Sequence, residues 1–301
     1  MIDMKKLFVI LVIVMLTAVL LADTSGEAGF QMLKINTGAT VGAQSGTGAF
    51  TTEDAFGFMH NPTAGIWQHK RVISLAQNYW IMDCQLNSGA YYYSQGSKAF
   101  GIGYRYLDYG KQDNRNDAGE ITGEFHPMDM VITTNAAYRL NPDMYLGANL
   151  HILYEKIDAA SALGVAFDLG YTYLTPFQDF KLAVALKNLG KTDDMDKEDI
   201  ELPITAEFNL IKDFQLGMVP LSTELKLLKH SDDDDLKMAL GLNAQIVKML
   251  ELRFGYKFNY DSEDLSAGFG IKLKKIDVDY AYVPHSSELG DAHLIGLTYK
   301  F

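Results

Sequence analysis

Leu250-Glu251-Leu252-Arg253-Phe254-Gly255-Tyr256-Lys257-Phe258-Asn259-Tyr260 alternates without a break. Each even position carries a large apolar or aromatic side chain, and each odd one carries charge, Gly or Asn. Successive side chains of an extended chain point to opposite faces, so this stretch is a strand with one apolar and one polar face. The next segment repeats the pattern. Leu265, Ala267, Phe269, Ile271 and Leu273 alternate with Ser266, Gly268, Gly270, Lys272 and Lys274. The chain then ends on Ile295, Leu297, Tyr299 and Phe301 set against Gly296, Thr298 and Lys300. The same alternation recurs near 98–107, 144–155, 180–187, 202–210 and 236–246.

A soluble sandwich of two sheets also alternates. Three features favour a membrane instead. Many segments run about ten residues, the ~9–11 a tilted membrane strand needs, against ~5–6 in soluble sheets. Aromatic rings stand near segment ends: Tyr79-Trp80, Tyr91-Tyr92-Tyr93, Tyr104 and Tyr106, Tyr171 and Tyr173, Tyr280 and Tyr282. Rings of this kind form girdles at the two bilayer interfaces of a barrel. The last residue, Phe301, closes an amphipathic strand, the ending that outer-membrane assembly machinery reads. The expectation is an all-β fold, a transmembrane antiparallel up-and-down barrel.

Counting strands gives about fourteen, near 70–80, 84–94, 98–107, 128–139, 144–155, 161–173, 179–187, 202–210, 221–229, 236–246, 250–259, 264–273, 275–283 and 291–301. An even count places both termini on the periplasmic side. The periplasmic connections are then Gln95 to Ser97, Leu140 to Asp143, Leu174 to Gln178, Ile211 to Asp213, Val247 to Met249, and Lys274. All are short. The opposite side holds 108–127, 188–201, 230–235, 260–264 and 284–290, which are mostly longer and strongly polar, the outer-membrane arrangement. These outer segments hold about half of the chain's 38 acidic residues. Asp232-Asp233-Asp234-Asp235 is the densest run; it lacks the Gly turn and spacing of a calcium loop and reads as a solvated loop tip.

Composition agrees. Of 301 residues, 48% are hydrophobic and 21% charged, too polar for a bundle of membrane helices and too apolar for a disordered chain. A net charge of −12 argues against a nucleic-acid surface. Lys5 and Lys6 precede an apolar stretch from Leu7 to Leu21, too short to span a bilayer, and small Ala22 follows. This reads as a signal peptide over 1–22, cleaved in the Ala22 to Ala28 region. The mature chain then divides into a segment 23–69 and a barrel 70–301 in the outer membrane of a Gram-negative-type bacterium. Outer-membrane lipid, lipopolysaccharide and the barrel-assembly machinery are its expected partners.

Residues 30–66 have no period of two. They contain Phe30, Leu33, Ile35, Gly38-Ala39, Gly42, Gly48-Ala49-Phe50, Glu53-Asp54-Ala55, Asn61-Pro62 and Ala64-Gly65-Ile66. This order resembles the opening of the PorV/PorQ family of outer-membrane proteins, itself related to the FadL-like fatty-acid channels. Members read F-L-x-I-G-x-G-A-R, then G-G-A-F, D-D-A and W-N-P-A-G-L before the first strand. The chain departs at Thr40 for Arg, Thr47 for Gly, His60 for Trp, and an inserted Thr63. The resemblance implies a Gly-rich lumen plug with Gly38, Gly42, Gly48, Asp54, Asn61, Pro62 and Gly65 as its structural residues. Geometry gives such a plug a purpose. Fourteen tilted strands enclose a cylinder roughly 28 Å across, which side chains alone do not fill. By resemblance, the function is that of an accessory of type IX-like protein secretion, binding secretion-system components or exported cargo. The alternative, nearer the FadL relatives, is a channel for small hydrophobic molecules, and the lack of an evident apolar lumen face counts against it.

Chemistry-bearing motifs are missing. No G-x-S-x-G occurs, and Gly46-Thr47-Gly48, Gly101-Ile102-Gly103 and Gly268-Phe269-Gly270 each lack the third glycine of a dinucleotide fingerprint. The seven histidines show no ligand spacing, and Cys84 reads as filler at a strand start. The sequence thus suggests no enzyme, cofactor or metal. Polar-phase charges, among them Arg105, Glu207, Glu224, Lys226, Arg253, Lys257, Lys272, Asp277 and Asp279, are expected to pair across strands or to touch the plug.

Overall fold

Alternation becomes sixteen strands in the computed structural model, which describes residues 28–68, 70–177, 180–195, 200–286 and 289–301. The expected signal peptide lies outside the described residues. In chain order the strands are β1 (Arg71–Tyr79), β2 (Gln85–Gln95), β3 (Lys98–Asp108), β4 (Gln112–Arg115), β5 (Ile121–Phe125), β6 (Met128–Asn141), β7 (Met144–Ile157) and β8 (Ala160–Leu174). Then come β9 (Phe180–Thr192), β10 (Thr205–Leu216), β11 (Val219–His230), β12 (Lys237–Val247), β13 (Leu250–Phe258), β14 (Leu265–Lys272), β15 (Ile276–Val283) and β16 (Ala292–Lys300). Fourteen of them close into one antiparallel barrel. β1 pairs with β16 from Val72↔Lys300 to Tyr79↔His293, so the barrel itself keeps no open edge. β4 and β5 form a separate ribbon within the connection 109–127, inside the long polar outer loop expected over 108–127.

The faces are inverted relative to a soluble protein. Leu75, Ile102, Leu150, Val165, Phe254 and Leu297 point outward and are exposed. Ser74, Asn149, Asp168, Glu207, Arg253 and Thr298 point inward and are buried. An exposed apolar belt around a polar lumen suits hydrocarbon outside and water or polar chain inside. Tyr79 stands exposed at one end, and Tyr138 and Tyr299 at the other. Two expected girdle residues turn inward instead. Tyr92 is buried against Phe58, their ring centroids 5.7 Å apart, and Trp80 lines the lumen cavity.

The end carrying Arg71 and Phe301 is the inner end. Its connections are short, and two are tight two-residue turns with Gly at positive φ: Gly96-Ser97 and Gly217-Met218. The second corrects the expectation of a turn at Ile211 to Asp213. Those residues continue β10, and their polarity has another cause: Asp213 accepts from Ser222 Oγ of β11 at 2.7 Å and pairs with Lys181 of β9. β6, β7 and β8 run 14, 14 and 15 residues, longer than the ten expected.

The N-terminal segment does not begin at the inner end. Ala28 bridges Glu201, the Phe30 amide donates to Glu155 Oε2 at 2.9 Å, and Lys34 pairs with Asp232 at 2.5 Å. All three partners lie at the outer end. From there the chain descends the lumen and reaches the inner end at Glu53, which pairs with Lys300 of β16 at 3.3 Å. Arg71 and Phe301 therefore share one end of the barrel, while residue 28 stands at the opposite rim.

Candidate functional site

The lumen is crossed by a segment held mainly through its backbone. Gly46 carbonyl accepts from Lys226 Nζ at 2.7 Å, and the Gly48 amide donates to Glu224 Oε2 at 3.0 Å. Asn149 Nδ2 donates to the Phe58 carbonyl at 2.9 Å, and Asn135 Nδ2 to the Pro62 carbonyl at 3.0 Å. Near the inner end, Lys70 Nζ donates to the Asp54 and Thr52 carbonyls at 2.7 and 3.2 Å. Burial pulls the Lys70 ammonium down to about 8, against the fields of Asp54 and Glu53 that favour its charge.

All seven motif residues lie in this segment. Gly38 has φ +85° and precedes a helical turn, Ala39–Gly42, whose Gly42 backs onto Leu294. Gly48, at φ +89°, and Gly65, at φ +82°, adopt the left-handed backbone that favours glycine. Asp54 Oδ1 accepts from the Phe56 amide at 2.7 Å, and Asn61 Oδ1 from the Thr63 amide at 3.0 Å, closing two Asx turns. Pro62 abuts Gly147 of β7 and Gly170 of β8, where a Cβ would overlap it. His60 is buried and donates through Nε2 to the Thr37 carbonyl at 2.8 Å. Burial, reinforced by Lys226 and Lys187, pushes its imidazole down to about 3, so it is neutral at pH 7.

The expected charge pairing is largely present. Arg253 is fully buried between Glu251 at 2.6 Å and Asp279 at 2.7 Å. Glu207 faces Lys187 and Lys226 at 3.3 and 3.7 Å. Lys272 is shared by Glu251, Asp277 and Glu53 at 3.5 to 3.6 Å. Arg105 breaks the pattern. It is 4% exposed, its Nε has no hydrogen-bond partner, and it makes no ion pair among the described residues. Asp232 departs from the solvated-tip reading in the other sense. Lys34 and Gln31 hold it, and these hydrogen bonds outweigh the burial that would raise its carboxyl, drawing it below the usual range. Among the described residues no cluster of His, Cys, Asp or Glu has the arrangement of a metal site.

Two features that the sequence reading missed lie between the segment and the outer half of the wall. The first is an apolar patch on the inner face. Leu86 of β2, Leu107 of β3, Val131 of β6 and Leu153 of β7 pack on Phe30, Met32 and Leu33, with Cys84 beside them. Each of these wall residues occupies the polar phase of its strand, and that break in alternation was the available signal. The second is a cavity of about 470 Å³ that adjoins the patch at Leu33, Ile35 and Trp80. Its other lining mixes polar side chains, among them Asn78, Arg105, Lys187, Glu207, Lys226 and His60, with the apolar Met59, Leu228, Val283 and Leu294.

No family model matches the chain, and no curated protein does. Solved structures do. The Ralstonia pickettii toluene transporter TbuX shares 15% identity at TM-score 0.63, over 88% of this chain and 98% of that one. The fold is FadL-like. A Pseudomonas aeruginosa FadL homologue superposes at TM-score 0.57 with 12% identity, covering 88% of this chain and 98% of its own. The Pseudomonas putida toluene transporter TodX gives 0.57 and 11% over 88% of this chain and 99% of its own. At these identities the likeness concerns architecture.

Proposed function

We propose that the chain is a non-enzymatic outer-membrane channel that admits small hydrophobic molecules, with residues 28–68 as the plug that closes its lumen. The apolar patch at the outer end carries this reading. A polar barrel that served only as a scaffold has no need of four large apolar side chains turned inward on neighbouring strands, facing Phe30 and Leu33. Burying them against the plug removes apolar surface from water at roughly 25 cal/mol per Å², and where this patch meets the cavity, Leu33, Ile35 and Trp80 are the apolar surface open to a hydrophobic solute. The fold shared with toluene transporters points the same way. The secretion-accessory reading rests on the motif residues alone.

The test is uptake of a hydrophobic dye by liposomes carrying the intact protein, with and without residues 30–66. Faster uptake through the intact barrel than through empty liposomes is the expected result. No acceleration by either form would remove the channel reading.

A further inference from the structure

Arg105 sits on β3 facing inward, flanked across the sheet by Ser88 of β2 and Val131 of β6. It lines the cavity with Asn78 of β1, and both carry a buried polar atom without a partner, Arg105 Nε and Asn78 Oδ1. Asp168 is the carboxylate whose field reaches the guanidinium, and it is already engaged by His151 Nε2 at 2.8 Å, Asn149 Nδ2 at 2.9 Å and the Asn188 amide at 2.9 Å. The other wall cations around this cavity have carboxylates of their own: Lys187 and Lys226 at Glu207, Lys237 at Asp233, Lys257 at Glu263. A buried guanidinium left unpaired amid paired lysines is costly unless something else completes it.

The same cavity is also lined by the apolar side chains of Leu33, Ile35, Met59, Trp80 and Leu294. A guanidinium presents a planar fork of donors that matches a carboxylate. We propose that this cavity is a binding site for a compact organic acid, its carboxylate on Arg105 and its apolar body against Trp80, Met59 and Leu33. The inference deepens the channel reading by naming the chemistry of the solute: a monoanion with a small apolar body, in place of an uncharged hydrocarbon.

Binding is measured on the full-length protein in detergent at pH 7 by calorimetric titration with benzoate, benzyl alcohol, toluene, inorganic phosphate and hexadecanoate. Benzoate is expected to bind saturably and at least tenfold more tightly than benzyl alcohol, which keeps the ring and loses the charge. R105Q should remove that preference, and R105K should retain part of it while losing bidentate geometry. Equal affinity for benzoate and benzyl alcohol on the unaltered protein overturns the proposal, whatever the variants do. So does phosphate binding as tightly as benzoate, which marks an adventitious ion only, and so does hexadecanoate binding where benzoate does not. Titration needs no transport. Benzoate binding without liposome uptake would leave the site standing and sink the channel, and toluene uptake without benzoate binding would do the reverse.

Discussion

The Gly48 amide donates to Glu224 Oε2 at 3.0 Å, tying the N-terminal segment to a strand 176 positions further along the chain. Two residues away on β11, Lys226 grips the Gly46 carbonyl. A buried N–H that loses its acceptor costs about 1–3 kcal/mol. Glu224→Ala should therefore loosen residues 44–48, seen as faster amide exchange there and unchanged exchange in the wall strands. Glu224→Gln keeps an acceptor and should stay near the parent. Gly48→Ala should be worse than Gly42→Ala. Gly48 has φ +89° and its Cβ would run into Gln44, whereas at Gly42 the obstacle is the end of the Leu294 side chain.

Gly147 and Gly170 let Pro62 lie against the wall, and bulk at these positions should push residues 61–63 away from it. In the double variant Gly147→Val/Gly170→Val the barrel should still show heat-modifiable migration, since both strands keep their ladders. Its liposomes should leak small solutes faster than those with the parent. A folded double variant with unchanged leakage would mean that residues 61–63 do not help to close the lumen.

His60 gives a pH dependence of known sign. Its folded value is about 3, below the ordinary 6.5, so the folded lumen disfavours the proton that a released His60 would accept. The resulting stability is complete above pH 6.5 and is lost as pH falls from there toward 3. Between pH 7 and pH 5 the loss amounts to about 2 kcal/mol. Exchange of amides 57–62, corrected for intrinsic rates, should rise over that interval, and His60→Gln should flatten the response. An equal response in both proteins would place the sensitivity elsewhere.

The strand count was legible because alternation reports which face each residue takes, and closure at fourteen follows once every apolar face must point outward. What alternation does not report is partners. Ile211 to Asp213 reads as a connection from the strand count, yet Asp213 is held across strands by Ser222 and Lys181. Arg105 read as one more paired lumen charge, and only the structure shows that the nearby Asp168 is taken by His151. The inner apolar patch was missed because Leu86, Leu107, Val131 and Leu153 are far apart in sequence and meet only through strand register. Gly38, Gly48 and Gly65 take positive φ, a backbone that leaves a compositional trace, whereas the position of residue 28 leaves none.

Substitution of Phe301 tests assembly apart from stability. Its amide donates to the Arg71 carbonyl at 3.1 Å, the Arg71 guanidinium lies 4.8 Å from its ring centroid, and the ring is 62% exposed on the outer surface. Phe301→Ala keeps the backbone hydrogen bond and loses an exposed cation–π contact of about 0.5–1 kcal/mol. Refolding of purified protein into detergent or lipid should therefore proceed nearly as in the parent, with a small shift in denaturant midpoint. The amount of folded protein reaching the outer membrane in cells should fall much further if the aromatic end of the last strand serves as an assembly signal. A parallel loss in both assays would make Phe301 an ordinary stability residue, and no loss in either would remove its role as an assembly signal.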